Sequence, residues 1–251
     1  MLQAIALVLG LCIGSFLNVV IYRLPRELSL VRPGSACPSC GHRLGPLELV
    51  PILSFLVLLG RCRHCGARIS WRYPGVELLT GLAFLALYQR YGLTPGLAFF
   101  LCYASLLVAI AFIDLDEMLI PTLLIIPCAV LGLLLGLWRG QIGVALLGAL
   151  IGGGFLLAVY YLARIMLGKE GLGMGDVELA ACIGAFLGWQ GALLTVFLGS
   201  FFGLLAAAGL AATGRLSRGQ PMPFGPHLCL AGLILAVWPW WTILGLIPGF
   251  S

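Results

Sequence analysis

The strongest constraint on this chain is a series of long, uninterrupted apolar runs, starting with Leu2–Val20 and recurring along all 251 residues. Such runs approach the ~20 residues that a helix needs to cross a bilayer. Inside lipid every backbone polar group must find a partner within the protein, which admits only helices or closed barrels. A barrel would show short segments of alternating polarity, not continuous runs. The expected fold class is therefore an all-α, polytopic membrane protein. Runs at Leu2–Val20, Val76–Tyr88, Pro95–Ile113, Leu119–Trp138, Ile142–Met166, Val177–Leu187, Ala192–Ala212 and Leu228–Ile247 predict about eight transmembrane helices. The first run has no basic flank before it and no small-residue cleavage site after it, so it reads as a retained span and not a signal peptide.

Charge supports this reading. Only 9% of the residues are charged, against about 25% in soluble domains. The net charge of +5 comes from basic residues clustered in a few loops, as topology control requires. No soluble basic face suited to nucleic acid is visible. Placing residues 23–74 in the cytoplasm puts Arg23, Arg26, Arg32, Arg43, Arg61, Arg63, Arg68 and Arg72 inside. Eight alternating spans then add Arg164, Lys169, Arg215 and Arg218, leaving only Arg90 and Arg139 outside. That asymmetry is what the positive-inside rule predicts.

Residues 23–74 form the one sizeable polar segment and contain two C-x2-C pairs, Cys37/Cys40 and Cys62/Cys65. Paired knuckles at this separation can bring four thiolates into tetrahedral reach of a zinc ion. Two disulfides or four unrelated thiols are the alternatives. Metal is favoured because Gly41 and Gly66 each follow a knuckle directly, and because a basic, cytoplasmic loop sits where disulfides are disfavoured. A four-thiolate zinc site has no open position, so its role would be structural. His42 and His64 read as exposed neighbours. Cys12, Cys102, Cys128, Cys182 and Cys229 lie in apolar runs and read as small packing residues. Between the knuckles, Leu47–Leu59 is expected to be a short amphipathic or re-entrant piece, broken by Pro51. Asn18, inside the first run, is costly unless paired and hints at an internal site.

Two further stretches break the apolar pattern. One is Asp114-Leu115-Asp116-Glu117, read as a turn between spans. The other is Gly171-Leu172-Gly173-Met174-Gly175-Asp176, preceded by Lys169-Glu170. Ionisable groups at a membrane boundary mark function, and the expected topology brings both stretches to the cytoplasmic side. Two carboxyls brought close cannot both ionise easily and share a proton. One can then activate water while the other protonates the scissile carbonyl or leaving amine. Asp114, Asp116 or Glu117 could partner Asp176, and on spacing alone proton or cation transport competes with proteolysis. A zinc protease is disfavoured, since no H-E-x-x-H occurs.

Taken in order, several motifs resemble one family. They are Gly14–Pro25, the two cysteine pairs, Gly60-Arg61-Cys62-Arg63 leading to Ile69–Glu77, Ile113-Asp114-Leu115-Asp116, Gly173-Met174-Gly175-Asp176 and Pro223-Phe224-Gly225-Pro226. Together they resemble the type IV prepilin peptidases, bifunctional leader peptidase and N-methyltransferase enzymes of the GxGD membrane aspartyl protease type. The resemblance implies catalytic aspartates at Asp114 and Asp176, with Asp116 and Glu117 as neighbours that tune the site. It implies prepilin or pseudopilin substrates of type IV pilus or type II secretion systems, cut at the cytoplasmic face of a bacterial inner membrane. It also implies S-adenosylmethionine as donor for methylating the new N-terminal amine, with the cysteine loop as the candidate region. No Rossmann-type glycine fingerprint marks a methyl-donor site independently. Glu178 and Thr122 depart from the family pattern, where lysine and an aspartate or asparagine are usual; Glu178 adds negative charge near the dyad. The Pro223–Pro226 motif reads as a helix entry or as a wall of the substrate groove. The expected organisation is a first helix at 1–22, a four-cysteine zinc-binding loop at 23–74 and a protease core at 75–251. An ion- or proton-coupled transporter, or a zinc-stabilised membrane scaffold, is the alternative function.

Overall fold

The structure, a computed structural model, describes residues 1–167, 172–214 and 222–239. Lys169, Glu170, Gly171, Arg215, Arg218 and the end of the last expected span lie outside the described residues. The described chain is helical: α1 Leu2–Arg23, α2 Leu53–Val57, α3 Arg72–Tyr91, α4 Pro95–Glu117, α5 Thr122–Trp138, α6 Ile142–Leu167, α7 Met174–Ala212 and α8 Gly225–Val237. Among the described residues, four helical stretches are long and apolar enough to cross a membrane: Leu2–Arg26, Pro95–Glu117, Ile142–Met166 and Met174–Ala212. Helices α5 and α8 are apolar but shorter. Large apolar side chains such as Leu134, Leu150, Phe197 and Leu204 are exposed on the outer faces of these helices, a surface suited to lipid.

The chain divides into two compact units, with the division falling inside α4 after Ala109. In the first unit α1 packs along α3. The approach is close because small residues line the seam. A Cβ built on Gly10 would lie 2.7 Å from Gly81 Cα, and one on Gly14 would lie 2.7 Å from Glu77 Cα. Polar groups buried at this seam are all engaged. Asn18 Nδ2 donates to Gly14 O at 3.3 Å and to Tyr73 O at 3.1 Å. Thr80 Oγ1 donates to Val76 O at 2.8 Å. Asn18 is thus a joint tying α1 to the start of α3. Helix α3 begins at Arg72, ahead of the expected Val76, because Pro74 falls in the first turn, where its missing N–H leaves no bond unmade. The expected short piece at Leu47–Leu59 is a 3-10 turn, Pro46–Leu49, followed by the brief α2.

In the second unit α7 packs against α5, α6 and α8. Ile113, Leu179, Ile183, Leu228 and Leu235 form its buried core. Helix α7 does not run straight. Gly188 takes φ 74°, ψ 177°, a conformation open to glycine and strained for other residues. A Cβ built on Gly152 of α6 would meet both Ala180 O at 2.6 Å and Ala192 Cβ at 3.0 Å. In an unbroken helix residues that far apart in sequence would be about 18 Å apart. The chain therefore folds back on itself at Gly188, and its second leg returns toward the end that carries Asp176. The break falls where sequence separates the Val177–Leu187 and Ala192–Ala212 runs.

Candidate active site and candidate metal centre

The acids at 114–117 are not in a loop. Helix α4 continues through Glu117 and closes at Met118, which takes φ 50° and donates its N–H to Asp114 O at 3.0 Å. The helical period then separates the acids. Asp114 turns inward and is 5% exposed, whereas Asp116 and Glu117 face outward. Of the three acids that spacing alone leaves open as partners for Asp176, Asp114 is the buried one, and it is also the one the family resemblance implies.

Asp176 is set by a helix start. Gly173 is the N-cap of α7 and Asp176 its third residue, so the carboxylate reaches back and accepts the Gly173 N–H at 3.3 Å through Oδ2. This is half of a capping box, at a helix end that favours negative charge. Gly175 has no room for a side chain, since a Cβ there would lie 2.9 Å from Ile120 Cβ. Ile120 also reaches Gly225 at the start of α8, where a Cβ would lie 3.1 Å from Ile120 Cδ1 and 2.6 Å from Asp114 Oδ2. The Pro223–Pro226 motif is therefore a helix entry whose glycine backbone lies against Asp114. The Gly225 amide and the more distant His227 both act electrostatically on Asp114, and the Asp114 charge acts on Asp176.

Among the described residues, Asp114 Oδ2 and Asp176 Oδ1 are buried and have no hydrogen-bond partner. Buried polar atoms without partners are few in native proteins. Two such carboxylate oxygens, from residues far apart in sequence, lie where the end of α4 and the starts of α7 and α8 meet. Chemically the pair can hold a proton between them and share the work of a general acid and a general base. Glu178 is half-buried one position beyond the N-terminal turn of α7, and Thr122 is exposed at the start of α5.

His227 is the residue that sequence reasoning misses here. Its Nδ1 is also buried and unpartnered among the described residues. The available signal is that it directly follows the Pro223–Pro226 motif and is the one histidine outside the cysteine loop.

The four cysteines come together in the first unit. Cys37, Cys40, Cys62 and Cys65 have Sγ atoms all within 4.8 Å of one another, and Cys37 Sγ and Cys65 Sγ are 3.8 Å apart. Sulfurs on a tetrahedral ion with 2.3 Å bonds are about 3.8 Å apart, so the donor set fits zinc. Each pair sits on a matching turn. The Gly41 and Gly66 amides donate to Cys37 O and Cys62 O, each at 2.9 Å, with φ of 70° and 71°. Isolated antiparallel bridges, Ala36 with Arg43 and Arg61 with Arg68, close the two turns. The His42 and His64 rings are exposed and stack at 4.4 Å, as neighbours of the thiol cluster and not part of it. Amides of Cys40 and Ser39 hold the Cys37 thiol down, to about 6. The His42 amide also pulls Cys40 down, but burial and the adjoining Cys65, Cys37 and Cys62 sulfurs outweigh it and hold Cys40 up at about 12.

Glu77 anchors this loop to the helices. Its Oε2 accepts the Ile52 N–H at 2.8 Å, and Ser15 donates to the same carboxylate. Ile52 is held at φ 59°, outside the regions where a β-branched residue rests easily.

Comparison with known proteins covers both units. Residues 8–91 match the Bacterial Peptidase A24 N-terminal domain and residues 100–208 match the Type IV leader peptidase family. The chain is 41% identical over 258 residues to a prepilin leader peptidase/N-methyltransferase of Aeromonas salmonicida, covering 91% of this chain and 88% of that protein. It is 38% identical over 258 residues to a protein of the same description from Pseudomonas aeruginosa, covering 92% and 89%. A Myxococcus xanthus protein of that description is 47% identical over 215 residues, covering 83% of this chain and 63% of its own. No solved structure matches.

Proposed function

The chain belongs to the type IV leader peptidase family, and from that premise we propose that it is a membrane aspartyl endopeptidase and N-methyltransferase acting on prepilins or pseudopilins. The catalytic pair is Asp114 and Asp176. One carboxyl takes a proton from water as it attacks the scissile carbonyl, and the other supplies a proton to the carbonyl oxygen or leaving amine. The observation that carries this reading is the pair of buried carboxylates in electrostatic reach of each other, each with one oxygen unpartnered among the described residues. An ion pathway would call for carboxylates near the membrane midplane on broken helices. These aspartates lie at helix ends, and the break in α7 at Gly188 is a dozen residues from Asp176.

In this reading the protein spans the bacterial inner membrane about eight times, counting α7 as two legs, with the site and the cysteine loop in the cytoplasm. The distribution of basic residues supports that orientation. Residues 1–22 are the first transmembrane helix, 23–74 the loop and 75–251 the protease core. A zinc ion on Cys37, Cys40, Cys62 and Cys65 would cross-link the loop and do no chemistry, because four thiolates leave no open position. The methyl group would come from S-adenosylmethionine, whose sulfonium activates it for transfer to an amine. The described residues contain no strand–helix unit with a glycine fingerprint to cradle that donor, so this second activity rests on family membership.

The test is cleavage of a purified prepilin in detergent, with mass spectrometry of the product. The parent is expected to release the leader and, with S-adenosylmethionine added, to yield a methylated mature chain. Cleavage by neither the parent nor a refolded preparation would sink the reading, and cleavage without methylation would remove its second half.

A further inference from the structure

We propose that His227 is a substrate-contacting residue of the peptidase, its imidazole Nδ1 donating a hydrogen bond to a backbone carbonyl of the extended peptide held beside Asp114. The proposal rests on the peptidase reading above. His227 lies in the first turn of α8, two residues past Gly225, whose backbone lies against Asp114. The returning leg of α7 also reaches the ring, where a Cβ built on Gly203 would lie 3.8 Å from both Cγ and Nδ1. Glycine at 203 therefore lets the returning leg lie close against the Nδ1 edge of the ring.

Three buried side-chain atoms of the second unit lack a partner among the described residues: Asp114 Oδ2, Asp176 Oδ1 and His227 Nδ1. All three belong to the same end of the unit, around the end of α4 and the starts of α7 and α8. His227 and Asp114 act on each other electrostatically, without a hydrogen bond between them. An apolar residue packed on Gly203 would avoid the cost of desolvating an imidazole, so a packing role does not account for the histidine. A peptide in extended form presents a new backbone group every ~3.3 Å. Carboxylates mainly accept hydrogen bonds. The two aspartates can serve the water and the scissile group, while a neighbouring peptide carbonyl needs a donor. The imidazole N–H is such a donor.

The test compares the full-length parent with His227→Phe and His227→Gln in detergent, measuring kcat and KM for prepilin cleavage. Loss of one substrate hydrogen bond should raise KM on the order of tenfold in His227→Phe with kcat little changed, and His227→Gln, which keeps a donor, should recover most of that loss. The same variants are made on an Asp114→Asn background, which holds substrate without cutting it, and affinity for a fluorescent prepilin is measured. That affinity should fall in parallel with KM. An unchanged KM and affinity in a folded His227→Phe would overturn the proposal and leave the ring as packing. Equal loss in the Phe and Gln variants, or a fall in kcat with affinity intact, would overturn it as well. If the parent itself cuts no prepilin, the peptidase reading fails first and this one falls with it.

Discussion

Asn18 and Glu77 in the first unit are each 8% exposed, and Asp114 and Asp176 in the second are 5% and 7% exposed. Burial alone would rank the four alike. Their partners separate them. Asn18 bridges two carbonyls and Glu77 holds the Ile52 amide, whereas each aspartate keeps an oxygen without a partner among the described residues. A buried polar group that is fully engaged adds to the specificity and rigidity of a fold. One left unengaged costs stability and calls for an explanation outside the fold. The comparison teaches that burial alone does not separate Asn18 and Glu77, which the fold uses as joints, from Asp114 and Asp176, each of which keeps an oxygen that the described fold leaves unengaged.

The sharpest way to break this contrast is to neutralise the aspartates. Asp114→Asn and Asp176→Asn should each lower prepilin cleavage by about 10³-fold or more, with the double variant little worse, because residues acting as a unit are not additive. Neither should lower the melting midpoint in detergent by much, since what is lost is the weak Gly173 contact at Asp176 and the Gly225 amide's pull on the Asp114 charge. A variant that melts early but still cuts would place its aspartate with the joints.

Next come two glycines, one in each unit. Gly225→Ala puts a methyl 2.6 Å from Asp114 Oδ2, and displacing that carboxylate should slow cleavage by roughly 10- to 100-fold. Gly14→Ala puts one 2.7 Å from Glu77 Cα, and there overpacking should cost about 1–3 kcal/mol of stability with the rate per folded molecule unchanged. Rate and melting measurements on both variants should give opposite patterns, and matching patterns would erase the distinction.

Glu77→Ala should cost about 1–3 kcal/mol by orphaning the Ile52 amide. Limited proteolysis should then cut faster near Ile52, and a loop as resistant as the parent's would mean that Glu77 is not its anchor. The smallest effect on cleavage is expected from the cysteine loop. Metal analysis should find one zinc per chain, lost in a Cys40→Ser, Cys65→Ser double variant. Chelation should open the loop to protease while lowering cleavage only about two- to threefold, as a structural metal implies. A large loss of cleavage would bring the loop into the peptidase site.

Much of this was legible in the sequence, for identifiable reasons. The cysteine cluster depends on short-range spacing, and a C-x2-C turn closed by glycine forms with little help from the rest of the chain. The helical class follows from the apolar runs, since lipid admits few alternatives. The choice among Asp114, Asp116 and Glu117 was not legible from spacing. It depends on where the helical period carries each side chain once α4 extends past its apolar stretch. His227 was missed because a lone histidine has no pattern around it; only a neighbour's missing side chain at Gly203 and an unpaired nitrogen mark it. That Asn18 would be paired was legible, but not with what: its far partner, Tyr73 O, is 55 residues away in the chain.

By itself, then, the sequence determined the class of the fold, the four thiols and the family. These are local matters of composition, spacing and motif. Tertiary structure alone decided which acids of the 114–117 stretch are buried, that α7 turns back at Gly188, and which buried polar groups find partners. Those outcomes depend on contacts between residues distant in the chain, and no local pattern carries the partner of a buried atom.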